Sequence, residues 1–145
     1  MVCCFFGHRD TPQEYYPILE ATVERLITEE GACEFYVGTH GNFDSMALKV
    51  LRLMKQRHPH ICYSVVLAYH PGKQQTYEKY LPEETVYPDG LEKTPLRFAI
   101  IKRNRWMLQK SDCTIVCIVP GVRSSSSAMA KKAARMHKRI ININK

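Results

Sequence analysis

The sequence predicts an α/β fold: one doubly wound, Rossmann-like domain over residues 1–145, with a mostly parallel five-stranded sheet and helices on both faces. Three observations predict it. Five short apolar runs alternate along the chain with segments of helical period. Those runs are apolar nearly throughout, as in a parallel sheet covered on both faces. Finally, 145 residues with 45% hydrophobic and 24% charged side chains suit a single globular core. No repeat or low-complexity linker marks a second domain.

The first strand is VCCFF (2–6). In TPQE (11–14), Thr11 suits an N-cap, Pro12 the first helical position and Glu14 the third, so a capping box is expected. The helix it opens carries Tyr15, Leu19, Val23, Leu26 and Ile27 at helical spacing, runs to about Glu29, and stops at Gly31. CEFYV (33–37) is the second strand, followed by the turn GTHGNFD (38–44). A helix over 43–57 then places Phe43, Met46, Ala47, Val50, Leu51 and Met54 on one stripe, and Pro59 ends it.

ICYSVVLAY (61–69) is the third strand, rich in β-branched and aromatic residues. Residues 70–93 hold no period and read as a long loop, either a functional lid or a plain solvated connection. Thr94-Pro95 repeats the cap-then-proline signal and opens a helix to about Lys110. That helix is expected to bury Leu96, Ile100 and Met107 along one side and Phe98, Ile101 and Leu108 along another. CTIVCIV (113–119) is the fourth strand, PGVRSSSS (120–127) turns into a small-residue helix, and RIININ (139–144) is the fifth strand.

No apolar run approaches the roughly 18–20 residues of a membrane span. The opening MVCCFF is too short for a signal peptide and lacks a basic leader, so a cytoplasmic protein with no membrane partner is expected. The six cysteines (Cys3, Cys4, Cys33, Cys62, Cys113 and Cys117) form no CxxC pair and fall mostly within apolar runs. They read as buried thiols of a reducing compartment rather than zinc ligands, and no metal site is expected. The net charge of +7 favours anionic partners such as nucleotides, nucleic acid or acidic surfaces, though its basic residues cluster only modestly, at 102–110 and 131–139.

In open parallel sheets the ligand crevice lies beyond the carboxyl ends of the strands, where strand order reverses. That directs attention to the loops 7–12, 38–44 and 120–127, each combining glycine with polar or basic residues ahead of a helix. Gly7, His8 and Arg9 in the first are either a plain turn or an anion contact. In the second, Gly38 and Gly41 permit close backbone approach, with His40, Asn42 and Asp44 beside them; Asp44 also suits a first helical turn. In the third, Gly121, Arg123 and the hydroxyls of Ser124, Ser125, Ser126 and Ser127 make either a phosphate cradle or a simple cap. Arg103 and Asn104 interrupt an apolar helix pattern: Arg103 either snorkels to solvent, or one of the two faces the crevice. Trp106 reads as packing.

FFGHRD after the first strand, GTHGNFD after the second, RFAIIKRNRWMLQKSD before the fourth and the Gly/Ser turn after it resemble one known group. This is the YpsA-like branch of the SLOG superfamily, which joins DNA-processing protein A (Smf) with the Lonely-Guy phosphoribohydrolases. The resemblance spans nearly the whole chain and is most specific at GHR and at RFAxxxRNxWMxxxSD. It implies the strand order 3-2-1-4-5 and a pocket for nucleotide-type ligands between the first and fourth strands. Lonely-Guy enzymes cleave the N-glycosidic bond of nucleoside monophosphates through a PGGxGTxxE turn. Here the equivalent PGVRSSSSAMAKKA lacks the second glycine, the GT and the glutamate.

An oxocarbenium-like transition state needs a nearby carboxylate, for which only Asp44 or Asp10 is a candidate. The expected function is therefore binding, by sensing or sequestering, of a nucleotide or an NAD- or ADP-ribose-derived molecule. No cofactor is required beyond such a ligand. The alternatives are a Lonely-Guy-like N-glycosidase, with Asp44 as its acid or base, and a single-stranded nucleic-acid binder stacking bases on Tyr77, Tyr80 and Tyr87. By resemblance a homodimer is possible, and Ala128, Ala130, Ala133 and Ala134 would allow close helix packing.

Overall fold

The computed structural model describes residues 1–70, 80–119, 121 and 124–144. Its chain order is β1 (Val2–Gly7), α1 (Tyr16–Glu30), β2 (Glu34–Val37), α2 (Gly41–Arg57), β3 (Cys62–Val66), β4 (Thr85–Val86), α3 (Ala99–Lys110), β5 (Cys113–Cys117), α4 (Ser125–Arg135) and β6 (Arg139–Asn142). All strand pairs are parallel, in the order β4-β3-β2-β1-β5-β6. The sheet thus has six strands rather than five, and its order departs from the expected 3-2-1-4-5 by an extra strand at the β3 edge. That strand is only two residues long and sits inside 70–93, where no alternating pattern announces it.

Burial on both faces explains the unbroken apolar runs. Cys3 and Phe5 of β1 point to one face, where Leu19, Val23 and Leu26 of α1 meet Val50, Leu51 and Met54 of α2. Phe5 stacks on Phe35 at 6.2 Å between ring centres and meets Phe43 at 6.4 Å. Cys4 and Phe6 point to the other face, against Met107 and Leu108 of α3 and Met129 and Ala133 of α4. Ala133 therefore packs within the domain, while Ala128 and Ala134 are exposed.

Several local expectations fail for identifiable reasons. Thr11 does not cap a helix: its Oγ1 donates to the carbonyl of His8 at 2.6 Å, closing a turn with its own N–H. A 3-10 turn over Gln13–Tyr15 follows, and α1 starts at Tyr16 with Pro17 in its first turn. Gly31 does end α1, in the left-handed region at φ 74°. Leu96 and Phe98 before α3 and Ile101 within it are exposed (Leu96 at 72%) instead of buried. The inward stripe of α3 is Ala99, Arg103, Asn104, Met107 and Leu108. Cys33 and Cys62 are exposed, so only four of the six thiols are buried.

The stretch after β3 is fastened to the body by Glu84. Its carboxylate accepts from Arg52 Nη2 at 2.5 Å, Arg52 Nε at 3.2 Å, Tyr63 Oη at 2.7 Å and the Leu81 N–H at 2.8 Å. Burial alone would raise the Glu84 carboxyl, but these donors together hold it below its ordinary value. The same pairing, after burial, pushes the Tyr63 phenol up to about 12. Among the described residues no helix is long and apolar enough to cross a membrane.

Candidate functional site

The chain runs outward from β1 through β2, β3 and β4, then returns to lay β5 and β6 on the opposite side of β1. Strand order therefore reverses between β1 and β5, and their carboxyl ends cannot be covered by one crossover. A crevice opens there. Its inner lobe, about 50 Å³, is bounded by Gly7, Gly38, Asp44, Arg103, Asn104 and Ser126. An outer lobe, about 500 Å³, adds His8, Arg9, Gly41 and Ser124. Gly7, His40, Ile100 and Ser125 border both lobes, which makes them direct neighbours.

The glycines serve the protein's own packing. A Cβ on Gly7 would stand 2.1 Å from Cγ of Phe43, a core ring. On Gly38 it would stand 2.8 Å from Asp44 Oδ2 and 3.2 Å from Arg103 Cζ and Nη1. Gly41, at φ +90°, faces the Arg9 backbone, with Arg9 Cα 2.5 Å from its would-be Cβ. The Asn42 N–H donates to the Arg9 carbonyl at 2.8 Å, so the loops after β1 and β2 are stitched together. The exposed Asn42 side chain borders neither lobe.

Arg103 does not snorkel. It is 2% exposed and organises the floor. Its Nε donates to Asn104 Oδ1 at 2.8 Å, and its Nη1 to the Val66 carbonyl at 2.9 Å and to Thr39 Oγ1 at 3.2 Å. Its Nη2 lies 3.2 Å from His40 Nδ1. Asp44 Oδ2 accepts the His40 N–H at 2.9 Å, which fixes a carboxylate on the crevice wall beside that guanidinium. Burial, then the Asp44 charge, raises the Tyr80 phenol above its ordinary value.

Against this self-satisfied floor stand several donors without partners among the described residues. Asn104 is 8% exposed, yet only its Oδ1 is used, so Nδ2 makes no hydrogen bond among the described residues. The Arg9 guanidinium makes no ion pair or hydrogen bond among them either. His8 Nδ1 accepts the Asp10 N–H at 3.1 Å, which leaves Nε2 as the outward donor. The serine run is mostly engaged with itself. Ser124 caps α4 by accepting from the Ser127 N–H at 3.3 Å, the Ser127 hydroxyl donates to the Ser124 carbonyl at 2.8 Å, and Ser124 Oγ lies 2.7 Å from Ser126 Oγ.

Among the described residues only Ser125 keeps an uncommitted hydroxyl on the crevice, and there the first-turn N–H groups of Ser125 and Ser126 also find no acceptor among the described residues. The four-hydroxyl cradle therefore reduces to one hydroxyl and a helix N-terminus. The loop after β1 contributes no helix terminus at all, because α1 begins only at Tyr16. Gly121, at φ +81°, is exposed outside both lobes, and Arg123 lies outside the described residues.

Sequence reasoning overlooked Ile100 as a wall residue and Thr39 as a partner of the Arg103 guanidinium. It also overlooked a second cavity beyond His40, lined by Tyr69, His70, Tyr87 and Leu96 among others. The signal for it was the pair Tyr69-His70 at the end of the third apolar run. Of the tyrosines expected to stack on bases, Tyr80 is buried, Tyr87 is half-buried and Tyr77 lies outside the described residues. Among the described residues no cluster of three or more metal-binding side chains forms. No protein-family model and no curated protein matches the chain.

Proposed function

We propose that the crevice binds the phosphate-bearing part of a nucleotide, or of an NAD- or ADP-ribose-derived molecule, so that the protein senses or sequesters it. The observation that carries this reading is the imbalance of hydrogen-bonding groups. Asn104 Nδ2, Ser125 Oγ, the Arg9 guanidinium and the first-turn N–H groups of α4 border these two adjoining lobes, and none is satisfied by the described residues. A helix N-terminus and an arginine favour an anion with several acceptor oxygens. Asp44, the carboxylate on the opposite wall, suits the hydroxyls of an attached ribose. The resemblance of GHR and of RFAIIKRNRWMLQKSD to the YpsA-like branch points to the same ligand class.

Calorimetry with nucleoside mono- and diphosphates and with linear and cyclic ADP-ribose tests the reading. Arg9→Ala removes a charge-assisted contact worth about 1.5–3 kcal/mol, a tenfold to hundredfold loss of affinity. A protein that binds none of the panel, or an Arg9→Ala variant that binds equally well, refutes it.

One observation supports a hydrolytic second reading: Asp44 lies in the crevice, held by the His40 N–H. A glycosidase needs a carboxylate in that place, and α4, SSSAMAKKAAR, supplies none. Chromatography after incubation with nucleoside monophosphates and NAD separates the readings. Product that disappears with Asp44→Asn establishes turnover; its absence leaves binding.

A further inference from the structure

We propose that the outer face of α3 and α4 docks an acidic segment of another protein, one that sets large apolar side chains beside its carboxylates. The proposal is independent of the crevice reading. It starts from how charge divides between the two faces of the sheet. On one face, α1 and α2 together carry five acidic and five basic side chains, which cancel. On the other, α3 and α4 carry seven basic side chains and no acidic one, a number equal to the net charge of the whole chain.

Arg103 turns inward to the crevice floor, but Lys102, Arg105, Lys110, Lys131 and Arg135 are exposed. None of these five makes an ion pair or hydrogen bond among the described residues. Two carboxylates near this layer are taken: Asp112 accepts the Val2 N–H at 2.9 Å, and Glu34 the Tyr36 hydroxyl at 2.7 Å. Lys110 and Arg135 lie in last helical turns, where they suit the helix dipole. Lys102 and Arg105 have no such reason. They stand three apart within α3, a spacing at which like charges repel. A facing carboxylate offsets that repulsion, whereas a second copy of this chain would add to it.

Apolar side chains complete the surface. Phe98, Ile101 and Arg105 follow one another at helical spacing on the outer side of α3, with Leu96 just before them. Phe98 is 47% and Ile101 48% exposed. The surface is flat: Arg97 lies over the Phe98 ring at 4.9 Å and Lys110 over the Trp106 ring at 5.5 Å. An interfacial helix sinks its apolar face about 5–10 Å into a bilayer, which half-covered side chains do not reach. Nucleic acid would match the charges with its phosphates and leave Leu96 and Ile101 bare. An acidic protein segment covers both, by the complementarity that sets register at protein interfaces.

Fluorescence anisotropy of the full chain tests this with a labelled synthetic helical peptide. The peptide carries Leu and Phe in one turn and Glu along the rest of the same face. Saturable binding is expected, weakened at about 0.3 M ionic strength, where exposed charges are screened. Replacing its Glu by Gln, or its Leu and Phe by Ala, should weaken it as well. On the protein, Arg105→Glu should cost about tenfold in affinity and Ile101→Gln about threefold. Arg25→Glu makes the same charge change at an exposed site on α1 and should leave binding within about twofold. Absence of saturable binding, equal binding of the Gln peptide, or equal losses from Arg25→Glu and Arg105→Glu would overturn the proposal. So would a tighter hold on phosphatidylserine vesicles or on an oligothymidylate than on the peptide, either of which would assign the face to another class of partner.

Discussion

Gly38→Ala perturbs the crevice floor without touching any ligand-facing donor. Gly38 does not have a positive φ, so alanine is compatible with the backbone and the effect is steric. The new methyl would lie 2.8 Å from Asp44 Oδ2 and 3.2 Å from Arg103 Cζ. Neither neighbour yields freely. The Asp44 carboxylate is held by the His40 N–H at 2.9 Å, and the guanidinium by Val66, Thr39 and Asn104. Overpacking of this kind costs about 1–3 kcal/mol. Taking about 2 kcal/mol, and about 3 °C per kcal/mol for a domain of this size, the melting temperature falls by roughly 6 °C.

Differential scanning calorimetry measures this directly, with Gly90→Ala as the comparison. Gly90 has φ +84° and nothing within 4 Å of its would-be Cβ, so it reports the backbone term alone, about 1 kcal/mol. A Gly38→Ala protein that melts like wild type would show that Asp44 and Arg103 are not packed on that backbone, and the description of the floor would fail.

Glu84→Gln replaces a buried carboxylate that accepts from Arg52, Tyr63 and the Leu81 N–H. Because Arg52 is partly exposed, a loss of about 2 kcal/mol is expected in urea unfolding. The carboxyl's folded pKa is depressed, so its contribution is full above the unfolded value of 4.5 and disappears as pH falls through the folded value. Wild type should therefore lose stability below about pH 4.5 more steeply than Glu84→Gln; parallel acid limbs would refute the pairing. Thiol labelling of the native protein should modify Cys33 and Cys62 quickly, and Cys3, Cys4, Cys113 and Cys117 only on unfolding. Mass spectrometry of the labelled peptides distinguishes the two sets.

The central sheet was legible because burial on both faces leaves little choice of residue. VCCFF is apolar throughout and CTIVC is apolar except for Thr114, and they become the two strands that flank the crevice. Gly31 was equally plain, since a left-handed helix end favours glycine. The crevice position followed from loops whose glycines proved to admit Phe43, Asp44, Arg103 and the Arg9 backbone rather than a ligand.

What the sequence hid were tertiary competitions. Thr11 closes a turn by donating to the His8 carbonyl, and the helix it was expected to cap begins only at Tyr16. Arg103 read as a break in an apolar pattern, whereas Ala99, Arg103, Met107 recur every four residues as one buried stripe. Leu96 and Ile101 fitted that pattern by type but face outward. The serines looked like four ligand donors until three of them satisfied one another. A two-residue strand has no period to detect.

The most direct test of an anion-receiving crevice between β1 and β5 follows backbone amide shifts in a nuclear magnetic resonance titration with AMP. The largest changes should fall on the N–H groups of Ser125 and Ser126 and on the side-chain amide of Asn104, with smaller ones at Gly7 and Gly41. Saturable shifts confined to those groups support the site. Absence of any saturable change, or changes centred on the exposed basic faces of α3 and α4 instead, would contradict it.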